Sequence, residues 1–125
     1  MLSITPIQTK SEQAEACSLC GIEYLPDALA YKAEEGGRPL GVCQFRVRGG
    51  SVEVYHIREA EGTDDLEALL LLGRAALSFA EACGAHEALL YEERRGLPAL
   101  LGAARAEGGA YRIDLRGYFE HKCRG

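Results

Sequence analysis

The feature that most constrains this chain is a stretch in which a strand pattern gives way to a long apolar helix pattern. Residues 51–58 alternate as a half-buried strand does, and residues 64–83 carry apolar side chains at helical spacing. Leu71, Leu72 and Phe79 widen the apolar surface beyond one stripe, which predicts a helix that is buried on more than one side. A strand followed at once by such a helix predicts an α/β chain.

The chain before this stretch has the patterns of a helix and of short strands. Ser11 is predicted to cap the helix, and Gly21 is predicted to end it. Gly36-Gly37 and Gly49-Gly50 predict two tight turns, so the strands on either side of them should form an antiparallel meander. The predicted elements are a strand at 2–7, a helix at 10–20, and strands at 28–34, 40–48 and 51–58.

The chain after the long helix predicts one more strand, a second helix and a closing strand. Pro98 falls in the first turn of the second helix, and Gly117 is expected to bend the closing strand. The predicted order is therefore β-α-β-β-β-α-β-α-β, in which the crossover through the long helix makes its two strands parallel. This is a mixed α/β sheet with helices on both faces, in one domain over residues 1–125. The predicted ranges are 87–91, 96–107 and 110–120.

Composition and charge exclude several classes of function. The net charge is −5 and the pI is about 5.2, so a basic surface for nucleic acid or for an anionic membrane is not expected. No apolar run is long enough to span a bilayer, and the first residues, MLSITPIQTKSEQ, lack the pattern of a signal peptide. Five scattered cysteines are typical of a reducing compartment, so we expect a cytoplasmic protein. A homodimer is compatible with these features.

The element order and the segment VEVYHIREAEGTDDLEALLLLGRAALSFAEACGAHEALLY resemble the GNAT-type N-acetyltransferase superfamily over nearly the whole chain. The pair Leu71-Leu72, Gly84 at the helix end and the following strand fall where that family has them. The resemblance implies a GNAT-like fold and transfer of an acyl group from acetyl-CoA or another acyl-CoA. It implies a small-molecule or peptide amine as the acceptor, and no metal.

The family's phosphate-binding motif, Gln/Arg-x-x-Gly-x-Gly/Ala, is degenerate in this sequence. Its glycines let backbone N–H groups approach the pyrophosphate of coenzyme A at the start of the helix. Acids in the first turn oppose an anion there, and Asp64 with Glu67 forms a capping-box pattern that stabilises the helix itself. A non-catalytic binding or regulatory module that has lost normal acetyl-CoA binding is therefore the alternative function. The motif aligns on Thr63, Leu66 and Ala68, or on Asp64, Glu67 and Leu69, and only Ala68 matches.

The resemblance also implies the residues of a catalytic site. Glu53 lies on the strand that carries the general base in many family members, so it is the candidate base. No general acid can be named, because the family's Leu-Tyr-x-x-x-Gly-Phe pattern, aligned on Gly108, places alanines where Leu and Tyr belong. Tyr55, Tyr91 and Tyr118 could donate a proton or simply pack with satisfied hydroxyls. The candidate cofactor-binding residues are Ile57, Arg58, Gly62, Thr63 and Ala68.

Other motifs have simpler interpretations. Cys17 and Cys20 fall at the end of the first helix, where its dipole opposes a reactive thiolate, so two buried small residues are expected there. A zinc site would need two more ligands, such as the pair His121-x-Cys123, which nothing in the spacing demands. His56 is expected to be a hydrogen-bonded core or edge residue. Arg94-Arg95 could either contact an anion or be solvated.

Overall fold

The computed structural model describes residues 1–119, and these form a mixed sheet with helices on both of its faces. No helix within residues 1–119 is long and apolar enough to cross a membrane. The helices are α1 (Lys10–Leu19), α2 (Leu66–Ala82) and α3 (Leu97–Leu101). The strands are β1 (Leu2–Pro6), β2 (Leu29–Glu35), β3 (Arg38–Arg48), β4 (Ser51–Glu59), β5 (Glu87–Leu90), β6 (Ala104–Arg105) and β7 (Tyr111–Asp114).

The order of the strands in the sheet confirms the predicted crossover. Neighbouring strands run β1-β2-β3-β4-β5-β7-β6. The β4–β5 pair is parallel and joined through α2, whereas the pairs on either side of it are antiparallel. The Gly-Gly turns produce the β2–β3–β4 meander as expected, so the fold class predicted from the sequence is confirmed.

The core is divided between the two faces of the sheet. Cys43 and Phe45 of β3 belong to the main cluster with α2, while Val42 packs in a smaller cluster beside the end of α1. The main cluster is much the larger of the two, and burying an apolar side chain of this size contributes about 1.5–3 kcal/mol, so most of the apolar burial lies on the α2 face. A Cβ on Gly73 of α2 would lie 2.9 Å from a methyl group of Leu101, so the absence of a side chain there lets α2 approach α3 closely. The hydrophobic residues of α2 that are completely buried are Ala68, Leu69, Leu72, Ala76, Leu77 and Ala80.

The caps of the two long helices differ from the prediction. Thr9, not Ser11, caps α1, and its hydroxyl accepts a hydrogen bond from the Glu12 N–H at 3.1 Å. Asp65, not Asp64, caps α2, and its carboxylate accepts from the Ala68 N–H at 3.1 Å. The capping box predicted on Asp64 and Glu67 is therefore wrong, because three residues after the true cap, Asp65, comes Ala68. Each site offers two nearby residues of similar capping preference, and the tertiary path of the chain selects one of them.

The helix predicted over residues 96–107 is wrong. A short 3-10 turn at Arg94–Gly96 leads into α3, which ends at Leu101 and is capped by Gly102 with a φ of 93°. The next residues, Ala104–Arg105, pair with β7 instead of continuing the helix. The closing strand is also shorter than predicted, since β7 ends at Asp114, whose carboxylate then accepts from the Arg116 N–H at 3.0 Å. Residue 120 and the His121-x-Cys123 pair lie outside the described residues.

Candidate functional site

The central strands β4 and β5 stop pairing halfway along β4. They pair from Ser51 opposite Glu87 to Val54 opposite Leu90, and the last hydrogen bond runs from the Tyr91 N–H to the Val54 carbonyl at 2.9 Å. Strand β4 continues to Glu59, but within residues 1–119 no strand pairs with its β5-facing edge beyond Val54. We call the space between residues 55–59 and residues 91–95 the strand gap.

A β-bulge lies at the mouth of the strand gap. Gln44 of β3 pairs with His56, and the next residue, Phe45, pairs with Val54, so Tyr55 is the extra residue on β4. A bulge bends its strand and redirects the side chains around it. Here it places Tyr55 and His56 at the point where β4 loses contact with β5.

The candidate base Glu53 lies beside this mouth, on the paired part of β4. Its carboxylate accepts a hydrogen bond from the Tyr55 hydroxyl at 2.7 Å and lies 3.6 Å from the Arg48 Nε. Burial and the hydrogen bond to Glu53 raise the pKa of Tyr55 above its usual value. The Tyr55 ring stacks on Tyr91 with their centroids 5.8 Å apart, so two tyrosines close the mouth on one side.

The other candidate proton donor, Tyr118, makes a packing contact instead. Its hydroxyl donates to the Leu101 carbonyl at 2.6 Å, and its ring packs against the main core cluster. Burial raises the pKa of Tyr118. This places it with α3 and β7, whereas Tyr55 and Tyr91 are the tyrosines at the strand gap.

Ion pairs bridge the far end of the strand gap. Arg58 of β4 pairs with Glu92 at 3.1 Å, and Glu59 accepts from Arg94 at 3.3 Å and from Arg95 at 2.9 Å. The Glu59 side chain is only 6% exposed, and these two guanidinium groups compensate its buried carboxylate. The arginines are therefore paired, and the interpretation of Arg94-Arg95 as a merely solvated pair is wrong.

Arg95 has a backbone conformation that is unusual for its residue type. Its φ is 62°, in the left-handed region that residues other than glycine rarely adopt. The same side chain also pairs with Asp64, just before the start of α2. Arg95 thus ties the end of β4 to the segment that enters α2.

A cleft of about 370 Å³ opens beside these ion pairs, between the end of α1 and the loop that leads into α2. The loop is fixed by the Glu61 N–H, which donates to the Leu19 carbonyl at 2.9 Å. We call this space the α2 cleft. It is lined by Cys20, Gly21, Arg58, Glu59, Ala60, Glu61, Gly62, Thr63 and Arg94.

The predicted cofactor-binding residues divide into two groups. Arg58, Gly62 and Thr63 line the α2 cleft. Ile57 is completely buried in the core below β4, so only its backbone could meet a ligand. Ala68 is also completely buried, and its N–H already donates to the Asp65 cap. The first group is brought together by the fold, and the second is not.

The Cys17 and Cys20 thiols are buried, as the sequence predicted. Burial raises the pKa of Cys17 to about 11 and the pKa of Cys20 to about 12, so both are protonated near neutral pH. Within residues 1–119 no group of three or more histidine, cysteine or acidic side chains is arranged to hold a metal ion. The two thiols therefore act as small core groups.

A buried polar chain that the sequence analysis missed leads to the strand gap. Gln13 of α1 is 2% exposed and Gln44 of β3 is 0% exposed, and their amides are hydrogen-bonded to each other at 2.9 Å. Gln44 in turn lies 3.0 Å from the Nδ1 of His56. The signal in the sequence is Gln44 itself, a polar residue on the same side of β3 as the buried Val42.

Similarity to known proteins lies in the fold. No protein-family model and no curated protein sequence matches the chain. The ribosomal-protein-S18-alanine N-acetyltransferase from Escherichia coli superposes with a TM-score of 0.73 at 12% identity, over 92% of this chain and 94% of that one. A GNAT family acetyltransferase from Brucella melitensis, in complex with acetyl-CoA, gives 0.71 at 15% identity, over 91% and 88%. A PaiA N-acetyltransferase from Thermoplasma acidophilum, in complex with coenzyme A, gives 0.66 at 11% identity, over 91% and 99%. The chain therefore has the fold of the GNAT-type N-acetyltransferases.

Proposed function

We propose that the protein is an acyl-CoA-dependent N-acyltransferase that acts on a small-molecule or peptide amine. The observation that carries the proposal is the strand gap, which opens beside the α2 cleft in a chain with the GNAT fold. Two of the similar structures hold acetyl-CoA or coenzyme A. In this proposal the diphosphate of the cofactor lies in the α2 cleft, and its thioester lies in the strand gap.

Several groups in the α2 cleft fit a diphosphate. Arg58 and Arg94 present guanidinium groups to it, and Thr63 adds a hydroxyl. The Nε of Arg58 is buried and has no hydrogen-bond partner within residues 1–119, which leaves one charged donor unsatisfied. Gly62 has a φ of 82°, a conformation that brings the loop backbone close to the cleft without a side chain.

The acids around the cleft favour a second candidate function. Glu61 lines the cleft, and its carboxylate would lie 3.4 Å from a Cβ on Gly21 across the entrance. Arg58 is already paired with Glu92, and Arg94 with Glu59, so an anion would have to compete for both. A non-catalytic module with the same fold, which has lost normal acetyl-CoA binding, is the alternative that these pairs support.

In this proposal the chain's own residues remove a proton from the amine, orient the carboxylate that takes it, and polarise the acyl carbonyl. Bound acyl-CoA would supply a thioester: the amine nitrogen adds to its carbonyl carbon, the C–S bond then breaks, and coenzyme A leaves as a thiolate that takes a proton from water. Glu53 takes the proton that the amine loses, directly or through a water, and Tyr55 orients the carboxylate through its 2.7 Å hydrogen bond. The backbone of β4 beyond Val54 lies where it can polarise the acyl carbonyl.

The setting of the reaction is part of the same proposal. The Cys17, Cys20, Cys43 and Cys83 thiols are free, which supports a reducing, cytoplasmic location. The net charge of −5 supports an acceptor other than nucleic acid or a membrane surface. A homodimer is compatible with this function, and the oligomeric state can be measured by light scattering.

Ligand-dependent stability separates the two candidate functions. Acetyl-CoA at about a hundred times its dissociation constant should add roughly 2.7 kcal/mol to the free energy of unfolding. Release of free thiol in the presence of a panel of amines should then be catalysed. Stabilisation without thiol release would support the non-catalytic module, and no stabilisation at millimolar acetyl-CoA would contradict the transferase.

A matched pair of variants locates the binding site. Arg94→Gln removes a guanidinium from the α2 cleft, whereas Arg38→Gln removes the same charge from the exposed start of β3. The first should weaken acetyl-CoA binding several-fold and the second should leave it unchanged. Equal weakening by both would mean that the α2 cleft is not the binding site.

A further inference from the structure

The buried polar chain fixes the orientation of each amide along it, beginning at Lys10. The Lys10 ammonium donates to the Oε1 of Gln13 at 3.1 Å and to the Ala28 carbonyl at 2.7 Å. An ammonium can only donate, so the acceptor on Gln13 must be its oxygen. The Gln13 Nε2 therefore donates, to the Leu25 carbonyl at 3.1 Å and to the Gln44 Oε1 at 2.9 Å.

Gln44 is fixed in the same way, by backbone groups on both ends of its amide. Its Oε1 also accepts from the Leu25 N–H at 3.0 Å, and its Nε2 donates to the Glu23 carbonyl at 2.8 Å. The second Nε2 hydrogen then faces the Nδ1 of His56 at 3.0 Å. Because this contact has a donor on the glutamine side, the Nδ1 must be the acceptor. His56 is therefore the neutral tautomer with its proton on Nε2.

The surroundings of His56 also oppose its protonation. A proton on Nδ1 would face the Gln44 amide hydrogens, and no other orientation of that amide satisfies its backbone partners. Burial of the ring lowers the pKa of His56; Glu92 and Glu23 act in the opposite direction, and Arg58 adds to the lowering. The imidazole is thus held neutral near pH 7, with a lone pair that is already used by Gln44.

The remaining nitrogen of His56 is a free donor at the strand gap. His56 lies on β4 beyond Val54, the last residue that pairs with β5. Its Nδ1 is directed to Gln44 on β3, and the two ring nitrogens point in nearly opposite directions, so the Nε2–H points away from β3. Within residues 1–119 this N–H donates no hydrogen bond. A rigidly oriented neutral donor in this position can stabilise a developing negative charge without losing its own proton.

We propose that His56 is a catalytic residue that donates its Nε2–H to the carbonyl oxygen of the acyl thioester, an inference that rests on the proposed function. Negative charge builds on that oxygen as the amine nitrogen adds to the carbonyl carbon. The electron pair then re-forms the C=O bond as the C–S bond breaks, and the charge leaves with the coenzyme A thiolate. His56 keeps its proton throughout, and Glu53 remains the base. Lys10, Gln13 and Gln44 are positioning residues that act through His56.

The tautomer can be tested in the free protein, without any ligand. In a nitrogen-15 NMR spectrum, His56 should show an unprotonated Nδ1 and a protonated Nε2. Gln44→Leu removes the donor that occupies Nδ1, so the pH midpoint of His56 should rise in that variant. A protonated Nδ1 in the parent protein, or a Gln44→Leu midpoint at or below the parent value, would overturn the proposal.

Comparison of two ligands tests contact with the acyl group. The Nε2–H resonance should move on titration with acetyl-CoA and should move much less with coenzyme A, which lacks the carbonyl. If both ligands bind and neither moves this resonance, the role of His56 is refuted while the proposed function stands. If neither ligand binds, the transferase and the role of His56 in it fail together, whatever tautomer is found.

Kinetics supply a third, independent test. His56→Phe should lower kcat about 10²- to 10³-fold, as loss of one oxyanion donor does, with little change in KM for acetyl-CoA. His56→Gln, whose amide can donate, should recover part of that loss. His86→Gln is the control, because His86 lies at the opposite end of the β4–β5 pair. Unfolding curves establish that each variant is folded, and a folded His56→Phe variant with parent kcat would contradict the proposal.

Discussion

Glu53 is the residue on which the proposed chemistry depends most directly. Its side chain is 24% exposed, held by Tyr55 and close to Arg48, so it is oriented and still open to an incoming amine. Glu53→Gln keeps the size of the side chain and removes its ability to take a proton. We expect the rate of thiol release to fall about 10²- to 10⁴-fold with acetyl-CoA binding unchanged.

The control for that prediction is an acid elsewhere on the central strands. Glu87 of β5 pairs with Arg112 and accepts from the Ser51 hydroxyl, at the end of the strands away from the gap. Glu87→Gln should leave the rate of thiol release near that of the parent protein. Parent activity in Glu53→Gln would show that another group removes the proton.

The fixed tautomer of His56 also has a consequence for stability. Burial lowers its pKa in the folded protein, so between that value and the ordinary pKa of about 6.5 the unfolded chain binds more protons. The free energy of unfolding should therefore decrease as the pH falls below about 6.5. Denaturant titrations over the range from about pH 7.5 to about pH 5, above which most carboxylates have already titrated, measure this slope.

His56→Gln tests the origin of that slope. A glutamine has no proton to gain, so the variant should lose the part of the pH dependence that belongs to His56. The paired carboxylates with lowered pKa values, such as Glu12 and Asp27, act only at lower pH and remain in both proteins. An identical slope in parent and variant would mean that His56 titrates alike in the folded and unfolded chains.

At the scale of elements, two adjacent acids at the start of α2 have different roles. Asp65 caps the helix through the Ala68 N–H, whereas Asp64 is 85% exposed and pairs with Arg95. Asp65→Ala should lower the free energy of unfolding by about 1 kcal/mol, which is typical of a lost N-cap. Asp64→Ala should cost less, because exposed ion pairs contribute about 0–1 kcal/mol. Thermal unfolding of the two variants measures both losses. A larger loss in Asp64→Ala than in Asp65→Ala would place the cap on Asp64.

Elements with a strong local pattern could be predicted from the sequence. The period of α2, the alternation of β3 and the Gly-Gly turns each fix a structure within a few residues. The helix at 96–107 failed because its alanines, leucines and arginine suit a helix, while long-range pairing of Ala104–Arg105 with β7 overrides that preference. No local sequence pattern predicts a strand of two residues at the edge of a sheet.

The candidate site was predictable only where a residue belongs to a recognisable element. Glu53 follows from its place on the strand before α2, and Arg58, Gly62 and Thr63 follow from the turn after it. The pairs Arg58–Glu92 and Glu59–Arg95 join residues that are more than thirty positions apart, and sequence spacing carries no information about such contacts. The orientation of His56 depends on three further elements, which only the folded chain brings together.

At the scale of the whole molecule, net charge and local charge make separable contributions to ligand binding. The protein carries −5 and its proposed ligand is itself an anion, so a general repulsion acts at long range. Local guanidinium groups in the α2 cleft act in the opposite direction at short range. Screening over about 10 Å at 0.1 M salt weakens the first more than the second.

Two variants with the same net charge separate these contributions. Glu61→Gln removes an acid that lines the α2 cleft, and Glu81→Gln removes an exposed acid near the far end of α2. Near a helix start one charge contributes about 0.3–1 kcal/mol, so Glu61→Gln should tighten acetyl-CoA binding roughly two- to fivefold at low salt. Glu81→Gln should change it much less. Calorimetric titrations at low and physiological salt should show the effect of Glu81→Gln disappearing before the effect of Glu61→Gln. Equal tightening by both variants would mean that net charge alone governs binding, and the α2 cleft would then lose its assignment as the site of the diphosphate.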